Sequence, residues 1–314
     1  MVPGSVANLG GGFDTLGVAV GLYLRARIVD VRQDGGTRLR VVQSTPPVRG
    51  ANALERAFEI AARRTGRTAP TVAVEVSSEI PMAAGLGSSA AASVAGLRVF
   101  ERVTGSIDDR ELLGAAAEVE GHADNAAPAL FGGLNSVVDI EGENPCALRW
   151  SWPEEVRLIV AIPATGLSTA RARATLAEQV PRADAVFNLQ RVLALVHALQ
   201  HRNYERVREA MKDRIHQSAR AALVPLLEEV LAIEDPDVLG ACLSGAGPSV
   251  AVLAHRETAR IAQLLTAMYE RAGITAQVRT LDVHQKGFAA PQSGRAHEGH
   301  HMRETVASAH GRSV

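Results

Sequence analysis

The amino-acid sequence predicts an α+β protein made of two domains. Segments with alternating apolar residues, typical of strands, are interleaved with segments of helical periodicity. A polar, proline-containing stretch at residues 141–155 separates two such series. We therefore place the first domain at residues 1–150 and the second at residues 151–288. Residues 289–314 are rich in Ala, Gly, Ser, His and Arg without periodicity, which predicts a disordered tail.

In the first half, strands and helices surround a glycine-rich stretch. Valines alternate with polar residues in "TVAVEVSSEI", which predicts a strand. The alanine-rich segment "SAAASVAGLRVFERVTG" predicts a helix that Gly105 can end. Ser106 and Asp109 have the spacing of a capping box, which predicts the start of another helix. Further strands are predicted at residues 25–31, 37–43 and 134–140, a helix at residues 52–65, and a loop at residues 141–155.

The second half begins with the apolar strand "VRLIVAIP". The segment "LGACLSGAGPSVAVLA" is apolar on both sides of a glycine turn, so it predicts two strands joined by a loop. Helices are predicted at residues 168–179, 184–201, 203–213, 218–233 and 256–272, and a last strand at residues 274–283. This order predicts an antiparallel sheet covered by helices.

Composition and charge exclude several classes of protein. The formal net charge of −1 predicts no general attraction to nucleic acid or to a membrane surface. Cys146 and Cys242 lie far apart without metal-ligand spacing, so we expect two reduced thiols. No apolar run approaches the roughly 18 residues that cross a bilayer, and the first residues do not resemble a signal peptide. We therefore expect a cytoplasmic protein with no membrane or nucleic-acid partner.

The stretch "PMAAGLGSSAAASVAG" at residues 81–96 predicts an anion-binding site. It runs from a strand through a glycine loop into a helix, so free backbone N–H groups and the helix dipole face one point. Lysine occurs only at Lys212 and Lys286, and the absence of "GKS" or "GKT" excludes a Walker P-loop. A phosphate here must be held by backbone amides, serine hydroxyls and the helix N-terminus.

Three glycine motifs occur in order along the chain: "PGSVANLGGGFDTLGVAV", "PMAAGLGSSAAA" and "CLSGAGPSVAVL". Together they resemble the signature motifs of the GHMP kinases, the family of galacto-, homoserine, mevalonate and phosphomevalonate kinases. The resemblance covers residues 3–288. Within the family, "SVANLGGGFDTLG", "EGHADNAAPALFGG", "LSTARAR" and "DRIHQSAR" are most similar to the homoserine kinases. Gly11 departs from the proline that the family commonly has.

The resemblance implies a fold, a nucleotide and a metal. The fold is a ribosomal-S5-like N-terminal domain and a ferredoxin-like C-terminal domain, with the active site in the cleft between them. Mg²⁺ is expected on Ser88 and on one glutamate of the helix that precedes the "GHADN" segment. Glu118 and Glu120 point to different helix faces, so only one can face the loop, and we favour Glu118. The expected ATP-binding residues are Pro81, Met82, Ala83, Ala84, Gly85, Leu86, Gly87, Ser88, Ser89, Ala90 and Ala91.

The implied acceptor is L-homoserine, a zwitterion with a terminal hydroxyl. The residues expected to contact it are Asn8, Asp14, His122, Asn125, Thr169, Arg173 and Arg220. By resemblance, Asn8 and Asp14 face the ammonium group, whereas Arg173 and Arg220 hold the carboxylate, which suits a planar guanidinium. His122 and Asn125 are expected near the reacting hydroxyl. The capping of the next helix is the main role expected for Asp124.

The predicted reaction is direct attack of the acceptor hydroxyl on the γ-phosphate, with Asp14, Asn125, His122 and Arg173 as catalytic residues. Asp14 as a general base is the second-ranked alternative. A mevalonate-like acceptor, a dinucleotide-binding oxidoreductase and a non-catalytic nucleotide-binding relative are the rival functions. Because "SGAGPSVAVLA" runs into a strand and not into a helix, a dinucleotide fingerprint is disfavoured. A homodimer is left open, by analogy with the relatives alone.

Overall fold

Two β-sheets organise the molecule, one in each half of the chain. The computed structural model describes residues 1–47 and 52–287. The strands are β1 (Val2–Ala7), β2 (Leu16–Arg32), β3 (Arg38–Thr45), β4 (Thr71–Ser78), β5 (Leu134–Val138), β6 (Cys146–Trp150), β7 (Arg157–Pro163), β8 (Val238–Leu243), β9 (Val250–Ala254) and β10 (Ala276–Leu281). The helices are α1 (Ala53–Thr65), α2 (Ser88–Thr104), α3 (Asp109–Glu120), α4 (Ala126–Phe131), α5 (Thr169–Arg173), α6 (Arg182–Gln200), α7 (Val207–Ala210), α8 (Gln217–Arg220), α9 (Leu227–Leu231) and α10 (Thr258–Arg271).

The first sheet has the order β3-β4-β2-β5-β6, and β1 pairs with β2 beside this path. Strands β3 and β4 are parallel and are joined through α1, whereas the other pairs are antiparallel. All six residues of β1 are buried, so the first glycine motif is held inside the sheet. Helix α2 contacts β1 and β2 directly, which fixes the start of that helix against the first motif.

The second sheet has the order β10-β7-β9-β8 with every pair antiparallel. Helices α5 to α9 lie between β7 and β8 along the chain, and α10 lies between β9 and β10. This is the βαββαβ sequence of a ferredoxin-like domain. The α+β prediction is therefore confirmed, and the sheets change over between Trp150 and Arg157.

The larger hydrophobic core lies under α1 and α2 and continues into the second half of the chain. Phe58 and Phe100 meet edge to face at 5.1 Å in its centre, and both are fully buried. Truncation of either ring to alanine should cost about 3–5 kcal/mol, because a cavity remains. Leu158, Leu195 and Met211 belong to the same cluster. Because residues of both halves belong to this core, the two halves pack directly against each other.

Four local predictions were wrong. The helix predicted at residues 168–179 ends at Arg173, after five residues. Asp108 caps α3 by accepting from the backbone N–H of Arg110, in place of the predicted capping box at Ser106. The predicted loop at residues 141–155 contains the edge strand β6, which pairs with β5. The single helix predicted at residues 218–233 is interrupted, because the residue before Pro225 is extended (φ −120°, ψ 109°). The predicted tail at residues 289–314 lies outside the described residues.

Among the helices of the described residues, none combines the length and the apolar character that a bilayer crossing requires.

Candidate active site

A cleft opens where the loop between β4 and α2 meets the loop after β1. The end of α3, the turn before α4, helix α5, the last residue of α8 and the loop between β8 and β9 complete its walls. The predicted site residues that line it are Asn8, Asp14, Pro81, Ala83, Ala84, Gly85, Leu86, Gly87, Ser88, Ser89, Ala90, His122, Asn125, Thr169, Arg173 and Arg220. Five separate stretches of the chain thus converge on one site.

The glycine loop lies against other backbone segments so closely that its glycines are required. Gly85 has φ +76°, and a Cβ there would lie 2.3 Å from the carbonyl oxygen of Ser244. Gly87 has φ +68°, and a Cβ there would lie 2.1 Å from the Oγ of Ser5. Both positions are left-handed, which disfavours other residues before any contact is considered. The loop can therefore pack this closely against Ser244 and Ser5 only because neither position carries a side chain.

Helix α2 begins at Ser88 with no side chain capping it. The N–H groups of its first turn have no carbonyl within the helix to bond, and they carry the positive end of the helix dipole. Ser88 and Ser89 add hydroxyls at the same point, and both line the cleft. This arrangement suits a phosphate group without any lysine.

The two candidate metal ligands lie on different faces of α3, and the structure corrects the choice between them. The carboxylate of Glu118 bonds Arg63 and Arg64 on the surface, away from the cleft. Glu120 lines the cleft, where its Oε1 accepts from Ser89 Oγ at 2.9 Å and from Ser93 Oγ at 2.6 Å. Glu118 is therefore replaced by Glu120, because only Glu120 faces the loop.

The donors around Glu120 fit a magnesium ion. Among the described residues its Oε2 accepts no hydrogen bond, so one carboxylate oxygen is available beside the serine hydroxyls of α2. Mg²⁺ prefers one or two carboxylate oxygens together with substrate phosphates, and it would neutralise the β- and γ-phosphate oxygens. Glu120 would hold it, and Ser88, which lines the same cleft, stays the predicted second ligand.

Asp14 and Arg173, in the part of the cleft called the acceptor end below, form a bidentate ion pair. The two guanidinium nitrogens of Arg173 donate to the two carboxylate oxygens at 2.9 and 2.7 Å. The pair is about one-third exposed on each side. Asp14 has φ +51°, so the loop presents this carboxylate from a strained backbone position. The residue expected at the ammonium group of the acceptor and one of those expected at its carboxylate thus bond each other.

Arg220 is 1% exposed and lies at the base of the same end. Its Nη1 donates to the carbonyl of Gly245 at 3.1 Å and to His216, and its Nε donates to the carbonyl of Ala172. Burial lowers the pKa of Arg220, although a guanidinium remains charged throughout the physiological range. The Cζ atoms of Arg173 and Arg220 lie 5.6 and 5.3 Å from the ring of Phe13, so both cations face one aromatic side chain.

His122, Asp124 and Asn125 form a hydrogen-bonded turn before α4. Asp124, whose side chain is 3% exposed, accepts from His122 Nδ1 and from both the backbone and side-chain nitrogens of Asn125. The bond to Asp124 raises the pKa of His122. Ser5 Oγ donates to Asn125 Oδ1 at 2.8 Å, which fixes the amide. Asp124 was expected as a helix cap, but the cap position is Asn125, and the carboxylate orients the whole turn.

The side chain of Asn8 supports the loop between β1 and β2, called the first loop below. Its Nδ2 donates to the carbonyl of Gly245 at 3.0 Å, and its Oδ1 accepts from the backbone N–H of Asp14 at 3.1 Å. It is 2% exposed and has φ +74°. Most of its bonding capacity is therefore used within the protein, which makes it a support for Asp14.

Two predicted nucleotide residues do not line this cleft. Ala91 is fully buried in the hydrophobic core, because it lies on the inner face of α2. Met82 is 52% exposed and lines a neighbouring apolar pocket instead, together with Leu24, Val41 and Val76. Ser88 borders both spaces. The neighbouring pocket therefore adjoins the cleft at Ser88.

Comparison with known proteins places this arrangement in a family. A model described as the GHMP kinases N terminal domain matches residues 52–133, and one described as GHMP kinases C terminal matches residues 195–271. A homoserine kinase of Deinococcus radiodurans is 38% identical over 289 residues, which cover 91% of this chain and 94% of that protein. The chain belongs to the GHMP kinase family. Its predicted family membership is thereby confirmed.

Solved structures of GHMP kinases agree with the fold. The crystal structure of homoserine kinase from Cytophaga hutchinsonii superposes with a TM-score of 0.80 at 27% identity, over 91% of this chain and 94% of that chain. Mevalonate kinase from Methanococcus jannaschii, at 16% identity, has a TM-score of 0.65 over 90% and 97% of the two chains, and it shares the fold alone. The predicted two-domain GHMP kinase fold is therefore confirmed.

The sequence patterns missed several residues that build this GHMP kinase site. Ser5 orients Asn125, Phe13 lies beside both arginines, and His216 contacts Arg220. Ser5 and Phe13 lie inside the first quoted motif, and His216 lies inside "DRIHQSAR". The partners of Ser5 and Phe13 are more than 100 residues away, and local spacing carries no such information. His216 and Arg220 are four residues apart in one motif, so their spacing was a local signal that the sequence analysis did not use.

Proposed function

We propose that this protein is a homoserine kinase, which transfers the γ-phosphoryl group of ATP to the side-chain hydroxyl of L-homoserine and yields O-phospho-L-homoserine for threonine biosynthesis. One observation carries the proposal. The glycine loop and start of α2 share a single cleft with Asp14, Arg173 and Arg220, so a phosphate site adjoins a site for a zwitterion. The similarity to homoserine kinases over most of the chain supports the same acceptor.

ATP fits the proposal through two adjoining spaces. Its phosphates would bind the backbone N–H groups at residues 85–90, and the adenine would enter the apolar pocket beside Met82. Mg²⁺ would be held by Ser88 and Glu120. No lysine lines either space among the described residues. Charge neutralisation therefore falls to the helix dipole and the metal.

Homoserine would replace the ion pair at the other end of the cleft. Its ammonium group would bind Asp14, and its carboxylate would bind Arg173 and Arg220. Asp14 and Arg173, which no longer bond each other, would then each bond a group of opposite charge on the substrate. An acceptor with only one of the two charges leaves the other residue without a partner in a partly buried site. This favours an amino acid over a hydroxy acid such as mevalonate.

The reaction requires positioning more than acid–base chemistry. The hydroxyl oxygen of homoserine forms a bond to the γ-phosphorus while the bond from phosphorus to the β–γ bridging oxygen breaks, and ADP leaves. The hydroxyl proton is released late, to the transferred phosphate. His122 and Asn125 would orient the hydroxyl and the γ-phosphate oxygens. In support, both line the cleft, and Asp124 and Ser5 hold their side chains in place.

The decisive experiment is a coupled ADP-release assay over a panel of amino and hydroxy acids. We expect turnover with L-homoserine and little with mevalonate or with homoserine lacking its ammonium or carboxylate group. Equal turnover of mevalonate would support the rival acceptor class. ATP binding without turnover of any acceptor would support a non-catalytic relative. The cytoplasmic location and the homodimer stay predictions.

A further inference from the structure

The motif "DRIHQSAR" contains two residues that the proposed reaction does not use, Asp213 and His216. His216 lies at the start of α8 and is fully buried. Its ring lies between the first glycine motif and Arg220, so it contacts both parts of the acceptor end. A buried histidine at that place can decide where the guanidinium of Arg220 points.

The hydrogen bonds of His216 define one tautomer. Its Nε2 lies 2.8 Å from the carbonyl oxygen of Gly10, which can only accept, so Nε2 carries the proton. Its Nδ1 lies 3.2 Å from Nη1 of Arg220, which can only donate, so Nδ1 is the acceptor. The imidazole is therefore neutral, with a donor facing the first loop and an acceptor facing Arg220.

Other contacts hold the ring in place. Phe13 stacks on it at 5.2 Å with an interplanar angle of 27°. The carboxylate of Asp213, whose side chain is fully buried, accepts from the backbone N–H groups of His216 at 2.9 Å and Gln217 at 2.8 Å. Asn188 donates to Asp213 at 2.7 Å and to the carbonyl of Gly11 at 3.1 Å. The first loop is thus supported at two successive carbonyls by one polar cluster.

These contacts leave one nitrogen of the Arg220 guanidinium group without a hydrogen-bond partner in the described part of the chain. Nη1 is used by His216 and Gly245, and Nε by Ala172, whereas Nη2 has no partner among the described residues. Arg220 lines the cleft. Nη2 is therefore the nitrogen left to bind an anion there.

We propose that His216 is a positioning residue for the acceptor: as the neutral Nε2–H tautomer it couples the Gly10 carbonyl of the first motif to Arg220, and so aims Nη2 at the acceptor carboxylate. This inference rests on the proposed homoserine kinase activity. It assigns to His216 an effect on acceptor affinity and no contact with ATP.

Two substitutions test the hydrogen bonds of the two ring nitrogens of His216 one at a time. His216→Asn places an amide oxygen near the position of Nδ1 and keeps the acceptor for Arg220. His216→Gln places an amide nitrogen near the position of Nε2 and keeps the donor to Gly10, but leaves Arg220 without that acceptor. The exposed His201→Gln serves as the control.

We expect His216→Gln to raise the KM for homoserine about tenfold or more, because the lost bond involves a charged donor. His216→Asn should raise it by no more than about threefold, since the neutral bond to Gly10 is the weaker one. The KM for ATP should stay within about twofold of the wild-type value in both. Equal homoserine KM values in the two variants, or a parallel rise in both KM values, would overturn the proposal.

Nitrogen NMR of the wild-type protein provides a readout that needs no variant. We expect the His216 resonances of a neutral imidazole protonated at Nε2, with the Nδ1 resonance shifting when homoserine is added. An imidazolium or the Nδ1–H tautomer at neutral pH contradicts the proposal. If the wild-type enzyme phosphorylates no homoserine, the proposed function fails, whereas the tautomer measurement still tests the coupling to Arg220.

Discussion

The two ends of the cleft are lined by different kinds of chemical group, main-chain groups at one and charged side chains at the other. The phosphate end consists of main-chain N–H groups, glycines and serine hydroxyls at residues 85–90. The acceptor end consists of charged side chains, with Asp14 paired to Arg173 and Arg220 buried behind them. The first end therefore depends on the path of the backbone, and the second on the charge of single side chains. Substitutions that add a Cβ should damage one end, and substitutions that remove a charge should damage the other.

The largest effect is expected from Gly85→Ala at the phosphate end. The new Cβ would lie 2.3 Å from a backbone oxygen of Ser244, so the loop must move. We expect kcat/KM for ATP to fall at least about 100-fold, because misplacement of reacting groups by about 1 Å has that cost. Steady-state kinetics at varied ATP measures it.

Gly142→Ala is the matched control for this change. Gly142 has φ +74°, close to the +76° of Gly85, but a Cβ there has nothing within 4 Å. It should lose about 1 kcal/mol of unfolding free energy through strain alone, with wild-type kinetics. If the two variants lost ATP affinity equally, the close approach to Ser244 would not matter, and the backbone account of this end would be wrong.

Asp14→Asn should give the next largest effect, at the acceptor end. The amide keeps the shape of the carboxylate but loses its charge, so we expect the KM for homoserine to rise about 30-fold. The kcat should change little, because Asp14 is proposed as a substrate contact. Kinetics at varied homoserine and saturating ATP measure both values. A large fall in kcat with an unchanged KM would instead identify Asp14 as the general base.

The sequence predicted the two ends unequally, and for a physical reason. Residues 81–91 are contiguous, and strand, glycine loop and helix follow one another, so local patterns predicted an anion site there. The acceptor end joins Asp14 to Arg173 across 159 residues, and no periodicity relates them. Only the family resemblance supplied those residues. The sequence did not show which glutamate faces the cleft, because the arginines of α1 that bind Glu118 are far away in sequence.

The glutamates of α3 provide a third and smaller test, which concerns the proposed magnesium site. Glu120→Gln should raise the Mg²⁺ concentration for half-maximal activity about tenfold, because a carboxylate ligand becomes a neutral amide. Glu118→Gln, two residues away, should leave the magnesium requirement unchanged. It removes surface ion pairs only, worth at most about 1 kcal/mol. Magnesium titrations at fixed ATP compare the two. An effect of Glu118→Gln on the metal requirement would restore the original assignment.

The smallest expected difference concerns pH and the support of the acceptor end. Burial lowers the pKa of His216, while Asp213 and Asp14 oppose this effect and Arg220 adds to it. The folded protein therefore binds this proton less readily than the unfolded chain, so stability falls as the pH drops below about 6.5. His216→Asn lacks the group and should lose less unfolding free energy between about pH 8 and pH 5.5 than the wild type does. Denaturant titrations at both pH values measure the difference. The unfolding free energy lost through Gly85→Ala should be the same at both pH values, because residues 81–91 contain no titrating side chain. Parallel curves for the wild type and His216→Asn would show that His216 is not held neutral, and the contrast between a pH-insensitive phosphate end and a pH-sensitive acceptor end would then not rest on this residue.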